Sequence, residues 1–367
     1  MTTEDQIKAV EDEIQKTPYN KATQHHIGKL KAKLARLKEE VQLRQMKGGG
    51  GGPSYAVKKS GHATVGLVGF PSVGKSTLLN QITDAVSEVA AYAFTTVTVI
   101  PGVMEYRGAK IQILDMPGLI HGASKGKGRG REVLSVARAC DLILLMVDVF
   151  ETNVQVLVEE LYLANIRLNQ KPADVVLSKA NRGGLVVNPT VKLKSIDEET
   201  IADICREWGF LNGTVVVRED LTADRLIDVL AGNRNYMPAF VVLNKIDLVT
   251  PEYLRTVEAR LKGWRILPIS AMNGIGLEPV RDSIYNSLRF MRVYLKPQGK
   301  EADLREPLIV RDGSSVGEVC DAIHREFRRK FRYANVWGAS AVFPGQKVGL
   351  QHVLREGDVV SIVVRKQ

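Results

Sequence analysis

The chain has 367 residues, of which 44% are hydrophobic and 25% charged, a composition typical of a globular protein with two or three domains. Its three cysteines lie far apart and show no metal-binding spacing, so we expect a reducing, cytoplasmic setting. No apolar run approaches the roughly 18 residues that span a bilayer, which argues against a membrane protein.

The net charge of +10 is concentrated at the two ends of the chain. Residues 1–60 carry 12 basic and 7 acidic side chains, a net charge of +5, and residues 289–367 carry 15 and 9, a net charge of +6. Basic appendages on a nearly neutral centre favour a polyanionic partner such as RNA, although two ordinary solvated surfaces would have the same composition.

Two helical patterns occupy residues 1–47 and predict a helical hairpin. Thr3 with Gln6 could form a capping box at the start of the first helix. The second helix follows Pro18 and carries an apolar stripe on one face and basic residues on the other. Residues 48–62 begin with five glycines and predict a flexible linker.

Buried strands that alternate with helices over residues 63–166 and 238–290 predict a parallel α/β domain. Asp115 and Asn244 end two of these strands and are 129 positions apart, more than such a sheet needs. We therefore interpret residues 167–237 as an inserted α+β domain with three strands and two helices.

The last segment, residues 291–367, predicts a compact β-grasp-like module. Its pattern indicates two strands, a turn at Asp312 and Gly313, a helix to about Phe331, and a closing strand.

The stretch GFPSVGKS fits the phosphate-binding pattern G-x-x-x-x-G-K-[ST], and it follows an apolar strand and opens a helix, as the motif requires. Backbone N–H groups and the helix N-terminus would hold phosphate oxygens. Lys75 would contact the β- and γ-phosphates, and Ser76 would bind Mg²⁺. The predicted phosphate-binding residues are Gly69, Pro71, Ser72, Val73, Gly74, Lys75, Ser76 and Thr77.

Two further segments predict contacts near the γ-phosphate. In YAFTT we prefer Thr96 over Thr95 as a second Mg²⁺ ligand, the alternative being two β-branched residues that enter a strand. In DMPG, Asp115 would hold a magnesium-bound water and the Gly118 N–H would sense the γ-phosphate. The predicted catalytic residues are therefore Lys75, Thr96 and Gly118. The basic, glycine-rich stretch SKGKGRGR that follows predicts a switch that orders on GTP or on a partner.

The tetrapeptide NKID, with Asn244, Lys245 and Asp247, predicts guanine specificity. The Asp247 carboxylate can accept two hydrogen bonds from the N1–H and N2–H₂ edge of guanine, whereas adenine has no such donor pair. In SAMNG, the backbone N–H groups of Ser270 and Ala271 could also support the base. The expected ligands are GTP or GDP with Mg²⁺.

The chain resembles the developmentally regulated GTP-binding (DRG) proteins of the Obg-like GTPases over essentially its full length, with an archaeal-type pattern. The resemblance rests on KATQHHIGKLKAKLARLKEE, GFPSVGKSTLL, YAFTT, DMPGLI with GKGRGR, NKID and the C-terminal extension. The resemblance implies a helix-turn-helix-like N-terminus, a GTPase domain with an inserted ribosomal-S5-domain-2-like module, and a C-terminal TGS domain. It also implies GTP hydrolysis, association with ribosomes and translation and, in eukaryotic members, a regulatory protein partner. His121 departs from the acidic residue usual in the family; we prefer a simple surface substitution, the alternative being a titrating histidine that adds pH sensitivity.

Leu119 stands where many P-loop GTPases carry a water-orienting glutamine. Because leucine cannot hydrogen-bond to water, we expect slow hydrolysis by the chain alone and stimulation by a ribosome, a partner or a monovalent cation. Ser72 stands where related potassium-dependent GTPases carry asparagine, so K⁺ is the candidate cation. We expect a monomeric molecular switch. The alternative is a ribosome-binding scaffold whose GTP is structural and scarcely hydrolysed.

Overall fold

The computed structural model describes residues 2–18, 20, 23–48, 61–83, 100–116 and 129–365. The elements before residue 165 are α1 (Thr3–Lys16), α2 (Gln24–Gly48), β1 (Ala63–Gly69), α3 (Lys75–Ile82), β2 (Ile100–Tyr106), β3 (Ala109–Asp115), α4 (Arg129–Ala139), β4 (Leu142–Asp148) and α5 (Val154–Leu163). The next are β5 (Ile166–Leu168), β6 (Val175–Lys179), β7 (Leu185–Pro189), α6 (Glu198–Glu207), β8 (Gly213–Val217), α7 (Ala223–Ala231) and β9 (Asn235–Met237).

The elements that complete the chain begin with β10 (Ala239–Asn244), a 3₁₀ turn (Ile246–Leu248), α8 (Pro251–Arg260), β11 (Ile266–Pro268), α9 (Leu277–Ser287) and β12 (Phe290–Leu295). They end with β13 (Leu308–Arg311), α10 (Val316–Ile323), α11 (Arg325–Arg329), β14 (Phe331–Trp337), β15 (Gln346–Val348) and β16 (Val359–Val364). Among the described helices, none combines the length and apolar character that a bilayer span requires.

The chain folds into two compact units. Met1–Ser54 and Asn165–Tyr236 form the first, which joins the predicted hairpin to the predicted insertion. Tyr55–Ala164 and Met237–Gln367 form the second, which holds the nucleotide-binding motifs and the C-terminal module. Segments far apart in sequence therefore share a unit in both cases.

In the first unit, α1 begins one residue earlier than predicted. Thr2 is the N-cap, and its capping box is completed by Asp5 rather than by the predicted pair Thr3 and Gln6. Both pairs have the same spacing, but a carboxylate in the first turn also interacts favourably with the helix dipole, which favours Asp5.

The hairpin helix α2 packs against α6 and α7 of the insertion, and Ala32 is fully buried in their shared core. In the insertion's three-stranded sheet, β8 lies between β6, which is antiparallel to it, and β7, which is parallel. The basic face of α2 is largely engaged inside this unit. Its ion pairs are Lys29–Asp203 (2.9 Å), Lys31–Asp224 (2.7 Å), Arg36–Glu207 (3.3 Å) and Lys38–Glu11 (2.7 Å).

The second unit is built on a six-stranded sheet in the order β11-β10-β4-β1-β3-β2. Its strands are parallel except β2, which forms an antiparallel hairpin with β3 through Arg107 and Gly108. Every residue of β1, β4 and β10 is buried, which explains their continuous apolar runs. Because the strands are parallel, the residues that follow their carboxyl ends meet at one edge.

The C-terminal module has a five-stranded sheet in the order β13-β12-β16-β14-β15. The prediction of one helix reaching Phe331 was wrong: α10 ends at Ile323, α11 ends at Arg329, and Phe331 begins β14. The residues of FRYANVW alternate between the two faces of the sheet, and the segment pairs with β16, so its aromatic residues belong to a strand. Arg332 therefore lies on a strand and not on a helix.

Candidate nucleotide-binding site

The phosphate-binding loop lies between β1, which ends at Gly69, and α3, which begins at Lys75. A Cβ atom on Gly69 would lie 2.2 Å from the Met146 carbonyl oxygen, and one on Gly74 would lie 2.4 Å from Asn244 Nδ2. Gly74 also has a φ of 94°. Both positions of the motif therefore require glycine for steric reasons. Ser72, at the exposed rim, adopts a φ of 62°, which is costly for a residue with a side chain.

The Lys75 ammonium lies inside the curl of this loop. Its Nζ donates to the carbonyl oxygens of Gly69 at 3.0 Å and Phe70 at 2.8 Å, and the residue is 9% exposed. Burial lowers the pKa of Lys75, while the nearby Asp115 carboxylate acts in the opposite direction. Two neutral carbonyl oxygens thus hold the buried Lys75 ammonium, and an anionic ligand could take the place of these oxygens.

Ser76 and Asp115 meet beside the loop because β1 and β3 are neighbours, with Leu67 opposite Asp115. The Ser76 hydroxyl donates to Asp115 Oδ2 at 2.7 Å. The carboxylate is 3% exposed, and its Oδ1 has no hydrogen-bond partner among the described residues. An unsatisfied buried oxygen costs about 1–3 kcal/mol. A hydroxyl and an orphaned carboxylate oxygen are the donor chemistry that suits hydrated Mg²⁺, so the residues present fit this ion.

Asn244 connects the base-recognition motif to the phosphate-binding loop. Its side-chain amide donates from Nδ2 to the Val73 carbonyl oxygen at 2.8 Å, and its Oδ1 accepts the Ala271 N–H at 2.9 Å. One buried side chain therefore fixes three segments that are far apart in sequence. Asp247 lies in the 3₁₀ turn after β10 and is exposed, with its carboxylate accessible to a ligand.

The N–H groups of Ser270 and Ala271, predicted to support the base, both have protein acceptors. Ser270 donates to the Ile275 carbonyl oxygen at 3.1 Å, and Ala271 donates to Asn244. Donation to a base would require both bonds to break. In this arrangement the two residues instead hold the loop and orient Asn244.

Asp148 is a site residue that the sequence analysis missed. Its Oδ2 lies 2.5 Å from Lys245 Nζ, and its Oδ1 accepts the N–H groups of Phe150 and Glu151, each at 2.9 Å. Burial alone would raise the pKa of Asp148, but the hydrogen bond from Lys245 and those from the two backbone N–H groups lower it. An acid at the carboxyl end of the apolar run LILLMVD was the signal available in the sequence.

Lys245 itself has a φ of 65°, in the left-handed region. The β4–β10 pairing places Asn244 opposite Asp148, so the carboxylate is next to the motif that it supports. Asp148 therefore holds Lys245 in an otherwise unfavourable backbone conformation.

The remaining predicted site residues differ in what the structure shows of them. Pro71 is at the exposed rim of the loop, and Thr77 is half-buried in the first turn of α3. Thr96, Gly118, Leu119 and His121 lie outside the described residues, as does the basic stretch up to residue 128. Their roles stay predictions.

Comparisons with known proteins cover nearly the whole chain. Residues 64–179 match the family described as 50S ribosome-binding GTPase, residues 182–290 the C-terminal region of MMR_HSR1 domain, and residues 291–364 the TGS domain. The fold is similar to that of the Schizosaccharomyces pombe YchF GTPase, with a TM-score of 0.51 at 16% identity, over 83% of this chain and 99% of that one.

Curated relatives match along the full length. An uncharacterized GTP-binding protein of Methanocaldococcus jannaschii is 55% identical over 100% of this chain and 94% of that protein. Developmentally-regulated G-protein 3 of Arabidopsis thaliana is 46% identical over 97% of both chains. A Dictyostelium discoideum developmentally-regulated GTP-binding protein 1 homolog is 46% identical over 97% of this chain and 98% of that one. The chain therefore belongs to the developmentally regulated GTP-binding proteins and is a GTPase with a C-terminal TGS domain.

Proposed function

We propose that this GTPase hydrolyses GTP to GDP and phosphate with Mg²⁺ and acts as a ribosome- or RNA-linked switch in translation. Hydrolysis by the chain alone would be slow, and a ribosome, a partner or a monovalent cation would stimulate it. The observation that carries the proposal is the 2.8 Å bond from Asn244 Nδ2 to the Val73 carbonyl oxygen. It joins the phosphate-binding loop to the base-recognition motif, so one nucleotide can contact both.

At the phosphate end, Lys75 would exchange its bonds to the Gly69 and Phe70 carbonyl oxygens for bonds to the β- and γ-phosphates. The N-terminus of α3 adds its partial positive charge. Ser76 would bind Mg²⁺ directly, with Thr96 as the second predicted ligand, and Asp115 would hold a water of the ion. When bound, Mg²⁺ neutralises charge on the phosphate oxygens.

At the base end, Asp247 would accept the N1–H and N2–H₂ donors of guanine. The carboxylate is exposed at the end of β10, where the parallel sheet gathers its ligands. Adenine would leave it without those partners, at a cost of about 1–3 kcal/mol.

Slow intrinsic hydrolysis follows from Leu119, which cannot orient water. An arginine supplied by a partner is worth about 10³–10⁵ in rate, and a monovalent cation beside the phosphates would supply similar charge. Ser72, which is exposed in the loop, would contribute an oxygen to this cation. We therefore expect K⁺ to raise turnover more than Na⁺ does.

Multiple-turnover phosphate release, measured with Mg²⁺ in K⁺ or Na⁺ and with or without ribosomes, tests this proposal. We expect slow release alone, faster release in K⁺, and the fastest with ribosomes. Release that stays flat under all four conditions would support the structural-GTP scaffold instead. Equal rates in the two salts would exclude stimulation by K⁺ but would leave stimulation by ribosomes untouched.

The ribosome link is supported by the family description of residues 64–179 and by the basic C-terminal module. We further propose a cytoplasmic monomer that takes a regulatory protein partner. Cosedimentation with ribosomes under GTP-analogue and GDP conditions, at a stated salt concentration, tests the ribosome link. Light scattering tests whether the chain is a monomer.

A further inference from the structure

We propose that one face of the TGS sheet binds single-stranded RNA through cations that lie on aromatic rings. We call this the aromatic face and define it by the outward side chains of Tyr294, Lys296, Tyr333, Trp337 and Lys347, with Arg332 at its margin. The proposal deepens the RNA-linked function proposed above and rests on it.

The register of the strands assigns these residues to one side of the sheet. On β14, Ala334 and Val336 are fully buried in the module's core, so the alternate residues Tyr333 and Trp337 point to the opposite side and are half-buried. The β14–β15 pairing puts exposed Lys347 opposite Asn335, between those two rings.

The neighbouring strands complete the same side. Trp337 is opposite Val359 on β16, and Val359 is opposite Tyr294 on β12. Lys296 follows Tyr294 by two positions and therefore points the same way.

The three cations that define this face lie over rings, whereas Arg292, two positions before Tyr294 on the same side of β12, pairs with Glu356 at 2.6 Å. Lys347 Nζ is 4.2 Å from the centroid of the Tyr333 ring, Lys296 Nζ is 4.7 Å from that of Trp337, and Arg332 Cζ is 5.8 Å from that of Tyr333. None of the three has a carboxylate within ion-pair distance in the described part of the chain.

The strands that build this face explain the pattern, because β12, β14, β15 and β16 contain no aspartate or glutamate. Two exposed arginines near this face do have acidic partners: Arg289, just before β12, pairs with Asp312 at 3.1 Å, and Arg328 pairs with Asp321. Lys296, Arg332 and Lys347 thus supply positive charge without an acidic partner, which a polyanion would complement.

The shape and chemistry of the face select single-stranded RNA among polyanions. The Tyr333 and Trp337 rings on β14 offer stacking positions for unpaired bases, while the lysines can move from the rings to adjacent phosphates. A duplex hides its bases from such a face and is recognised mainly by its backbone shape. The rings would then contribute nothing.

Fluorescence anisotropy with the full chain and a labelled oligouridylate of about 16 nucleotides tests the proposal. Combined Lys296→Gln and Lys347→Gln should weaken binding about tenfold at low salt and reduce the slope of log K against log salt by about 1.4, the loss of two phosphate contacts. The matched control, Arg289→Gln with Arg328→Gln, removes the same charge from paired positions and should change affinity less than about twofold.

Tyr333→Leu supplies a second variant that keeps every charge. It should weaken binding of the oligouridylate while leaving the salt slope unchanged, because it removes stacking and not a phosphate contact. Equal losses in the lysine variant and the arginine control, or equal affinity for an RNA duplex of the same length, would overturn the proposal.

Ribosome cosedimentation and GTP turnover of the same preparations keep this inference separate from the proposed function. Wild-type chain that hydrolyses GTP and sediments with ribosomes but does not bind the oligouridylate would overturn the inference alone. Binding of the oligouridylate without ribosome cosedimentation would support it and count against the ribosome link.

Discussion

The phosphate end and the base end of the nucleotide site differ in how far along the chain their contacts reach. At the phosphate end, Lys75 bonds to carbonyls only five and six positions away, and the loop curls around a buried ammonium. At the base end, Asn244 bonds to a residue 171 positions away, and Lys245 to a residue 97 positions away.

This difference indicates how each end should respond to substitution. At the phosphate end, local backbone carbonyls hold the Lys75 ammonium, so removing this charge should abolish phosphate binding without disturbing the fold. The base end depends on hydrogen bonds between distant segments, so substitutions there should change stability and ligand affinity together. The following variants test that distinction.

Lys75→Ala should have the largest effect, because it removes the cation that faces the β- and γ-phosphates. We expect GTP affinity to fall by about 100-fold or more, with the melting temperature unchanged or raised, since a buried charge is lost. Calorimetric titration and thermal unfolding measure both quantities. Lys110→Ala, at an exposed position paired with Glu105, is the control and should keep full affinity.

Asn244→Ala should affect stability and affinity together. It leaves the Val73 carbonyl and the Ala271 N–H without their partner, at a cost of about 1–3 kcal/mol for each buried group. Urea unfolding should therefore show a loss of roughly 2–4 kcal/mol, and GTP and GDP should both bind more weakly. Asn286→Ala, at an exposed position of α9, is the matched control. Wild-type stability in Asn244→Ala would show that the two ends are not coupled through this side chain.

Asp148→Asn should have a smaller effect, confined to the base end. Without the carboxylate, Lys245 loses its ion pair, and we expect GTP and GDP affinity to fall by about tenfold with the guanine preference retained. Competition between guanine and xanthine nucleotides measures the preference. A shift toward xanthine nucleotides would mean that Asp148, and not Asp247, contacts the base.

The pH dependence of stability should show the smallest effect. The folded-state pKa of Asp148 is lowered, so its contribution is present above the ordinary carboxyl value of 3.8 and is lost as the pH falls through the folded-state pKa. Between pH 5 and pH 3, the wild-type chain should lose more free energy of unfolding than Asp148→Asn does. Parallel curves would show that the ion pair contributes nothing measurable to folding.

The sequence predicted the parts of the molecule that rest on local patterns. The P-loop needs glycines at fixed spacing for steric reasons that Gly69 and Gly74 display, and the buried strands β1, β4 and β10 are continuous apolar runs. Asn244 and Lys245 could be found from their motif, because the residue types of the tetrapeptide NKID at a strand end indicate guanine binding by themselves.

Contacts between distant segments could not be predicted in the same way. The bond from Asn244 to Val73 depends on the strand order, which a motif does not contain. The acceptors of Ser270 and Ala271 likewise appear only once the loop is folded. Strand β14 was missed because its aromatic and basic residues also fit a helical face, and only pairing with β16 decides between the two.

Net charge was similarly incomplete as a guide to RNA binding. Both ends of the sequence have nearly equal positive charge, but most of the described cations of α2 are paired within the first unit, whereas Lys296 and Lys347 on the aromatic face of the TGS sheet are not. Pairing, which only the structure reveals, decides which basic region can bind a polyanion.

The claim that one pocket holds both the phosphates and the purine is tested most directly by Asp247→Asn, measured as the ratio of GTP to xanthosine triphosphate affinity. An amide at this position donates to the 2-oxo group of xanthine but cannot accept both guanine donors, so the ratio should invert while the Mg²⁺-dependent phosphate contacts persist. An unchanged preference for GTP would contradict the assignment of Asp247 and with it the single-pocket account.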